Sequence, residues 1–389
     1  MQAHKYQSGI RFSPAATEQP DRLCFLDNLR AFVIICVVVL HGAIAYMDYA
    51  PEWWYVVDRQ HSLFFTGLVS LIDVPVMMLL FFISGYFLPS SLMRHDQKTF
   101  LKGKLTRIAV PWMVGILLLT PPAVYFTYFS RHIPMGLFRF WTHDFWCRHY
   151  QQSVYWYLGI LLFFFIVSSL AFRFSARLRS VPCRTVVPSW KMLGIFWAIM
   201  TFGMFVMGRF GSPDTWFTGW YILVFQPVRL PLYIGYFILG IFACLNGWFS
   251  AAGYKPSLAP WLGLWFLSGL LYLGNRFGVN FLVEHSAMVA NAQNCVLFNA
   301  FCFSSLMTAT SFFQRYANGN GRIQRSLADS SYGIYFIHPL ILYPLTYLFL
   351  GISWPLYVKA TVVIGSGLFS SWAVSALVLR KMPILRRAF

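Results

Sequence analysis

Charged side chains are scarce in this chain. Asp, Glu, Lys and Arg make up only 11% of the 389 residues, whereas 58% are hydrophobic and 20% are aromatic. A soluble globular domain carries about 25% charged residues. The composition therefore excludes an ordinary soluble protein.

Acidic residues are the scarcest group. Only 12 Asp and Glu stand against 30 Lys and Arg, and the formal net charge is +18. In a soluble chain this balance would indicate a nucleic-acid partner. In a membrane protein the cytoplasmic loops collect Lys and Arg, so the expected partner is instead an anionic lipid leaflet or an anionic ligand. We therefore expect no nucleic-acid partner.

Signatures of soluble enzymes, metal sites and disulfides are also missing. The sequence has no P-loop, no GxGxxG after a predicted strand, no GxSxG and no HExxH, which argues against ATP-driven transport and serine hydrolysis. The seven cysteines form no CxxC pair, although Cys147 and Cys295 lie on the same predicted side of the membrane and their pairing stays open. His143, Asp144 and His149 lack the helical i, i+4 spacing of metal ligands, so no metal site is predicted.

What the chain does contain is a series of apolar stretches of about 20 residues, the length that crosses a bilayer. They recur from Arg30 to Arg380 and predict an all-α polytopic membrane protein with about ten transmembrane helices and cytoplasmic N- and C-termini. The predicted spans are 28–47, 63–88, 108–128, 155–172, 190–208, 230–248, 258–276, 293–314, 332–351 and 356–379. The predicted organisation is a cytoplasmic segment 1–25, one membrane domain 26–380 and a cytoplasmic tail 381–389. The first segment has no apolar core, so the first span is expected to be an uncleaved anchor.

The positions of Lys and Arg decide between ten and eleven spans. The apolar segment from Thr215 to Val228 has about 14 residues, which is short for a crossing. With ten spans, the cytoplasmic segments contain 22 Lys and Arg and the outer loops contain 7, while Lys359 lies inside the last span. An eleventh span would give 16 against 13. The positive-inside rule favours ten, so we expect this segment to be an interfacial or re-entrant element on the outer face.

The first span carries one arginine at its start and one histidine in its apolar interior. Arg30 and His41 are eleven residues apart, which is three helical turns plus about 20°, so both face the same side with a rise of roughly 16 Å. Arg30 is equally typical of a topology anchor, and His41 of a hydrogen bond between helices. Intramembrane ionisable residues are more often functional. The pair suits a ligand with an anionic head and a reactive end that reaches inward.

Two further motifs lie at the predicted cytoplasmic face. Ser84, Gly85 and Tyr86 end the second span, where a Ser-Gly pair permits close helix packing or local unwinding. The basic loop that follows leads into Lys104-x-x-Arg107, which places two cations on one face at the entrance of the third span. These cations favour a phosphate site, although the positive-inside rule also accounts for them.

Asp73 and His338 are buried polar positions in other spans. Asp73 is the only carboxylate deep inside a span, and it is either a proton or ion site or an acid that is protonated or paired with a neighbouring His or Arg. His338 follows Tyr335 by one turn and precedes Pro339, which frees a backbone carbonyl in the preceding turn. We expect this local break to open a pocket beside His338.

The largest predicted outer loop, 129–154, combines aromatic and polar side chains. Trp141 and Trp146 lie among arginine, histidine and aspartate residues. Such a mixture is typical of a sugar site, and also of the aromatic belt at a membrane interface. The sequence leaves both interpretations open.

The order of these motifs resembles that of the acyltransferase 3 family, which are integral membrane O-acyltransferases. The matching stretches are Phe25-Leu-Asp27-Asn-Leu-Arg30 through His41, similar to the Arg-x10-His signature, then Phe82-Ile-Ser-Gly-Tyr86, Lys104 with Arg107, Trp156-Tyr-Leu, Tyr233-Ile-Gly-Tyr-Phe-Ile-Leu-Gly240 and Ser331-Tyr-Gly-Ile-Tyr335-Phe-Ile-His338-Pro. The resemblance covers about residues 23–380. Length and the Ser-Gly-Tyr-Phe form look most like the glucans biosynthesis protein C branch, which succinylates periplasmic glucans. That branch usually has His-x-Trp-Phe-Leu where this chain has Tyr155-Trp156-Tyr157-Leu158.

The resemblance implies an enzyme of the bacterial inner membrane. It implies transfer of an acetyl or succinyl group from cytoplasmic acyl-CoA to a hydroxyl of an extracytoplasmic carbohydrate, glycan or glycolipid. Arg30, Lys104 and Arg107 would hold the phosphates of acyl-CoA, and His41 would be the general base. The remaining predicted substrate-binding residues are Ser84, Tyr86, Trp156, Asp73, Tyr335 and His338, of which Tyr335 or His338 would stabilise the oxyanion.

The alternative is a proton-coupled secondary transporter that uses Asp73 and His41 as a relay. If the chain were such a transporter, we would expect an internal repeat with paired interrupted helices, which the sequence does not show. We would also expect proton-coupled flux without cleavage of a thioester. The acyl group, the acceptor and the oligomeric state stay open.

Overall fold

The computed structural model describes residues 23–49, 56–174, 185–250, 252–278 and 286–382. Most of these residues are helical, and the fold is an all-α polytopic membrane protein. The long helices are α1 (Cys24–Ala43), α2 (Leu63–Arg94), α3 (Gln97–Ser130), α5 (Trp156–Phe174), α6 (Trp190–Met207), α7 (Leu230–Leu245), α8 (Leu258–Arg276), α9 (Ala287–Tyr316), α10 (Arg322–Phe349) and α11 (Leu356–Val374). A short helical stretch, α4, comprises Leu137–Arg139, Phe140–Asp144 and Phe145–Arg148.

Each of the ten predicted spans coincides with one of these long helices. Nine helices in the described residues are long and apolar enough to cross a membrane, and α8 is the one of the ten that is not among them. Several helices run further than predicted because polar caps start them outside the apolar stretch. Asp96 accepts from the backbone N–H of Thr99 at 3.2 Å, and Ser286 accepts from that of Val289 at 3.4 Å. The third helix therefore begins at Gln97 rather than near residue 108.

The apolar segment 215–228 forms a β-hairpin instead of an eleventh helix. Strands β1 (Phe217–Gly219) and β2 (Leu223–Phe225) are antiparallel, with Thr218 opposite Val224. The hairpin lies at the end of the bundle where α1 ends and α5 begins, since the hydroxyl of Tyr221 donates to the carbonyl of Trp146 at 3.0 Å. The hairpin agrees with the ten spans that the charge count favoured.

Helices α2 and α7 pack with their backbones in contact. A Cβ on Gly85 would overlap the carbonyl oxygen of Phe237, and a Cβ on Gly240 would overlap that of Phe82. Only glycine permits so close an approach of two helices. The glycine of the Ser84-Gly85 motif therefore serves helix packing, which is the structural interpretation of that motif.

Helix α1 lies at the centre of the bundle and α6 at its edge. In the apolar window of α1, 72% of residues are buried, compared with 11% for the span that contains α6. Arg30 is near the start of α1, whereas His41 is in its last turn. We call the two ends of the bundle the Arg30 end and the hairpin end. His41 therefore lies closer to the hairpin end of its span than to the middle of that span.

Candidate active site

A cavity at the Arg30 end gathers four cationic side chains. It has a volume of about 590 Å³ and is lined by Arg30, Lys104, Arg107 and Arg380, with Asp329 as the one acidic residue among its described lining residues. Three helices and one turn supply these groups, because α1, α3 and α10 begin here and the turn after α11 lies here. We call this the basic cavity. Its excess of positive charge suits a polyanionic ligand.

The cations of the basic cavity are only partly neutralised. Arg30 lies 3.3 Å from Asp27 and 3.5 Å from the carbonyl of Ala328. Its Nε is buried and has no hydrogen-bond partner in the described part of the chain. Arg380 pairs with Asp329 at 3.3 Å. Buried donors are normally paired, so the orphaned Nε marks Arg30 as a group that can still bind an anion.

Deeper in the bundle, His41 and His338 form a hydrogen-bonded pair. His41 Nδ1 lies 2.8 Å from the carbonyl oxygen of Val37 and 3.2 Å from Nε2 of His338. A carbonyl only accepts, so in the neutral ring His41 Nδ1 carries the proton and His338 Nε2 accepts. The nitrogen of His41 that can take up a proton is therefore Nε2.

Pro339 accounts for the orientation of His338. Because proline has no N–H, the carbonyl of Tyr335, four residues earlier, has no helical partner. His338 Nδ1 lies 2.8 Å from this oxygen and donates to it. With Nδ1 protonated, Nε2 is the acceptor that meets His41. The imidazole of His338 is fully buried, so this contact defines the tautomer of both rings.

His41 lines a small cavity that is separate from the basic cavity. This histidine cavity has a volume of about 50 Å³, and its polar lining residues include Asp73, Ser153 and Gln226. Tyr335 is the one described residue that lines both cavities. Its hydroxyl donates to the carbonyl of Val154. Arg30 and His41 thus lie on one helix but in different cavities, with Tyr335 between them.

A third cavity lies at the hairpin end, and we call it the hairpin cavity. Its volume is about 480 Å³. It shares Ser153 and Trp216 with the histidine cavity. The rest of its wall consists mainly of aromatic, amide and hydroxyl side chains, including Tyr128, Tyr150, Gln151, Gln152, Thr215, Thr218 and Tyr343. The three cavities are thus arranged in series along the bundle.

Asp73 is engaged in a network of charges. Arg229, with only 3% of its side chain exposed, lies 2.6 Å from Asp73 and 2.8 Å from Asp214. Asp214 also contacts Arg276 at 3.2 Å. The network joins α2 and α8 to the segments on both sides of the hairpin. The sequence left open whether Asp73 is an ion site or a paired acid, and the geometry supports the paired acid. Its partner, Arg229, comes from a predicted loop.

The other predicted site residues are divided between cavity and core. Ser84 lines the basic cavity and exchanges a hydrogen bond of 2.9 Å with the hydroxyl of Tyr157. Trp156 lines the histidine cavity. Tyr86 is not among the described residues that line these cavities, and its ring packs against Phe249 at a centroid distance of 5.2 Å. The expectation of a ligand contact for Tyr86 thus finds no support in the geometry.

Sequence reasoning missed several residues that the fold brings to the cavities. Arg380 and Arg229 were counted only as loop charges, and Ser153 was not singled out. Spacing gave no signal for them, since Arg229 and Arg380 meet their partners across the bundle and Ser153 lies in a turn between two helices. Cys147 and Cys295, whose pairing was open, are both free thiols, one exposed and one buried.

Comparison with known proteins relates the chain to enzymes. The family model described as "Acyltransferase domain" (Acyl_transf_3) matches residues 24–380. Similar curated relatives are the Glucans biosynthesis protein C of Shigella boydii serotype 4 (strain Sb227) and that of Escherichia coli (strain K12), each 31% identical over 98 residues. The matched stretch is 25% of this chain and 25% of each relative, so the chain spans about a quarter of their length. No solved structure matches the chain.

Proposed function

The chain belongs to the acyltransferase 3 family, and from this premise we propose that it moves an acetyl or succinyl group from cytoplasmic acyl-CoA to a hydroxyl of an extracytoplasmic glycan or glycolipid. It is a multi-pass membrane acyltransferase, and we place it in the bacterial inner membrane. The Arg30 end is then the cytoplasmic face, because 22 of the 30 Lys and Arg are assigned to that side.

The observation that carries this proposal is the position of His41 between two larger cavities. The basic cavity opens at one end of the bundle and the hairpin cavity at the other, and the histidine cavity shares lining residues with both. A transferase that takes its donor from one side of a membrane and its acceptor from the other needs such an arrangement. The reacting group must then lie where the two paths meet.

The residues of the basic cavity fit acyl-CoA. Its 3′-phosphate and diphosphate are polyanionic, and Arg30, Lys104, Arg107 and Arg380 supply cations at the entrance. Acyl-CoA supplies the activated thioester. The rise of roughly 16 Å from Arg30 to His41 is comparable to the length of an extended pantetheine arm. Anchored by its phosphates, the donor therefore presents its acyl carbon near His41.

His41 is the general base of the proposed reaction. Nε2 takes the proton of the acceptor hydroxyl, and the acceptor oxygen forms a bond to the acyl carbon. The carbon–sulfur bond then breaks, and the imidazolium returns its proton to the departing thiolate of CoA. The products are an O-acyl ester and CoA, so atoms and charges balance. His338 keeps His41 in the required tautomer throughout.

Tyr335 has two roles in this proposal. Both nitrogens of His338 are engaged, with Tyr335 O and with His41, so of the two candidate oxyanion donors Tyr335 is the one we retain. Its hydroxyl now donates to Val154. The thioester reaches His41 when this ring turns aside, which frees the hydroxyl to donate to the developing oxyanion.

The ion pair of Asp73 with Arg229 bears on the transporter alternative. A proton relay needs an acid that changes charge within hydrogen-bond reach of the next group. Asp73 instead contacts a buried guanidinium at 2.6 Å, so its carboxyl group is engaged in a fixed ion pair. This contact supports a structural role for Asp73 and removes the main observation on which transport depended.

The test is transfer by the purified full-length protein in lipid nanodiscs. Labelled acetyl-CoA and succinyl-CoA are offered separately together with a glycan extract of the outer compartment, and ester-linked label is identified by mass spectrometry. A positioned base contributes about 10²–10⁴ in rate, so His41→Ala should lose transfer by that factor. Its affinity for CoA should not change.

The matched control is His143→Ala, which removes an exposed histidine, 66% accessible, from the loop at the hairpin end. It should transfer like the wild type. Full transfer by a folded His41→Ala protein would overturn the assignment of the base. Proton-coupled flux in proteoliposomes without thioester cleavage would overturn the proposed function.

A further inference from the structure

Ser153 has an unusual backbone conformation and an unsatisfied hydroxyl. Its φ is 46°, in the left-handed region that side chains other than glycine rarely adopt. Its Oγ is buried and has no hydrogen-bond partner within the described residues. Both features are unfavourable for stability, and such strain collects at functional sites. Ser153 therefore calls for an explanation beyond packing.

The position of Ser153 supplies that explanation. It lies just before α5 and lines both the histidine cavity and the hairpin cavity. The next residue, Val154, accepts the hydrogen bond of Tyr335. Ser153 thus stands where a ligand in the hairpin cavity would meet the residues around His41. A buried hydroxyl without a partner at such a junction can still bind a ligand hydroxyl.

The lining of the hairpin cavity has the chemistry of a sugar site. Trp216 and Tyr150 present aromatic surface, and Trp216 is held by an edge contact with Trp156 at a centroid distance of 5.2 Å. Gln152 anchors the wall, since its side chain contacts the backbone carbonyl of Ile222 at 3.0 Å. Apolar ring faces together with a few fixed polar groups recognise small polar ligands. A sugar ring offers both a C–H face and hydroxyls.

The charges around the hairpin cavity indicate a neutral sugar. Asp214 is neutralised by Arg229 and Arg276. Burial lowers the pKa of His149, a shift that Asp144 only partly opposes, and this favours the uncharged form of the ring. Arg148 is then the one remaining charge among the described lining residues. This cavity lacks the cluster of cations that distinguishes the basic cavity.

We propose that the hairpin cavity binds a neutral carbohydrate and that the hydroxyl of Ser153 positions the reacting sugar hydroxyl next to His41. This inference rests on the proposed function, of which it names the acceptor class and its site. Ser153 forms no covalent bond in the reaction. It exchanges one hydrogen bond with the acceptor, while Trp216 packs against the C–H face of the sugar.

Binding is tested first, without any donor. The probe is a short neutral gluco-oligosaccharide, titrated into the full-length protein in nanodiscs and followed by saturation-transfer NMR. Trp216→Ala should weaken binding at least tenfold, since it removes the aromatic surface. The matched control is Trp220→Ala in the same hairpin, because Trp220 is 93% exposed and is not among the described residues of the cavity wall. It should bind like the wild type.

Ser153 is tested by transfer to the same oligosaccharide. Loss of one hydrogen bond lowers kcat/KM for the acceptor by up to about tenfold in both Ser153→Ala and Ser153→Gly. The affinity for CoA should stay at the wild-type value in both. Ser153→Gly also relieves the strained backbone and therefore keeps the fold. Ser130→Ala is the control, because that hydroxyl donates only within its own helix, to Thr127.

The outcomes separate this inference from the proposed function. Oligosaccharide binding that is unchanged in Trp216→Ala, or wild-type transfer by both Ser153 variants, would overturn the acceptor site while the acyltransferase stands. Acyl transfer to an acceptor other than a neutral sugar, without binding of the probe, would also overturn the acceptor site and leave the acyltransferase activity in place. Binding of the probe that needs Trp216, with no acyl transfer from either thioester, would sustain the sugar site and overturn the proposed function.

Discussion

Charged residues are arranged differently at the two ends of the bundle. At the hairpin end, Arg229 contacts two carboxylates and Lys359 contacts Asp58 at 3.0 Å, with 2% and 1% of the two side chains exposed. At the Arg30 end, four cations line the basic cavity, and in the described part of the chain carboxylates pair with two of them, Arg30 and Arg380. Burying an unpaired charge is costly, so charges that serve the fold are paired. We infer from this difference that a group of cations around a cavity, not all paired with carboxylates, indicates an anionic ligand.

Removal of one partner from a buried ion pair at the hairpin end should have the largest effect. Lys359→Met leaves Asp58 buried without its partner, and loss of one member of a buried pair costs about 3–5 kcal/mol. We expect that loss in the free energy of unfolding, measured by denaturation in detergent. The double variant Lys359→Met/Asp58→Asn should recover most of it. Equal stability of the single variant and the wild type would contradict a structural role for the pair.

The histidine pair lies between the two ends, and its loss should have the next largest effect, on kcat. His338→Phe removes the acceptor for His41 Nδ1, so kcat should fall about 10- to 100-fold, as expected for a hydrogen bond of about 1.5–3 kcal/mol. KM for both substrates should stay unchanged. His338→Gln keeps an acceptor oxygen and should restore part of kcat. The same loss in both variants would mean that packing, and not the hydrogen bond, is what His338 contributes.

Substitution of Arg30 tests directly whether the basic cavity binds the donor. Arg30→Gln removes a cation with an unpartnered Nε, so KM for acyl-CoA should rise about tenfold. The free energy of unfolding should change little, in contrast to Lys359→Met. Isothermal titration with CoA and thermal unfolding measure the two quantities. A large loss of stability together with unchanged CoA binding would place Arg30 among the structural charges.

Arg107 should show the smallest effect. Its side chain is exposed at the mouth of the basic cavity, where a charge contributes about 0.2–1 kcal/mol and is screened by salt. Arg107→Ala should therefore raise KM for acyl-CoA by less than about fivefold. The difference should shrink between low and high ionic strength. An effect that persists unchanged at high salt would indicate a buried contact with the donor instead.

The sequence predicted the fold well because membrane insertion depends on composition. Each stretch of about 20 apolar residues forms a helix, since only a helix satisfies its own backbone hydrogen bonds in lipid. The count of Lys and Arg also excluded a span at 215–228, where the structure has the hairpin. Helix ends were predicted less well, because caps such as Asp96 and Ser286 lie beyond the apolar stretch.

The site was predicted only in part. The sequence singled out Arg30, Lys104, His41 and His338, which line the cavities or flank them, because ionisable residues near apolar spans are rare enough to notice. It could not show that His338 accepts from His41, since 297 positions separate them. The ring of Tyr86 packs against Phe249, and its contact with a ligand stays a prediction.

From composition and spacing alone, the sequence predicts a bundle of about ten helices and a short set of polar residues with unusual positions. These properties follow from local composition and from the thickness of a bilayer, and neither depends on which helices touch. Only the tertiary structure decided that Asp73 is paired with Arg229, that Tyr335 stands between two cavities and that Ser153 joins the histidine cavity to the hairpin cavity. Such contacts join distant parts of the chain. The periodicity within one helix does not indicate which helix packs against it.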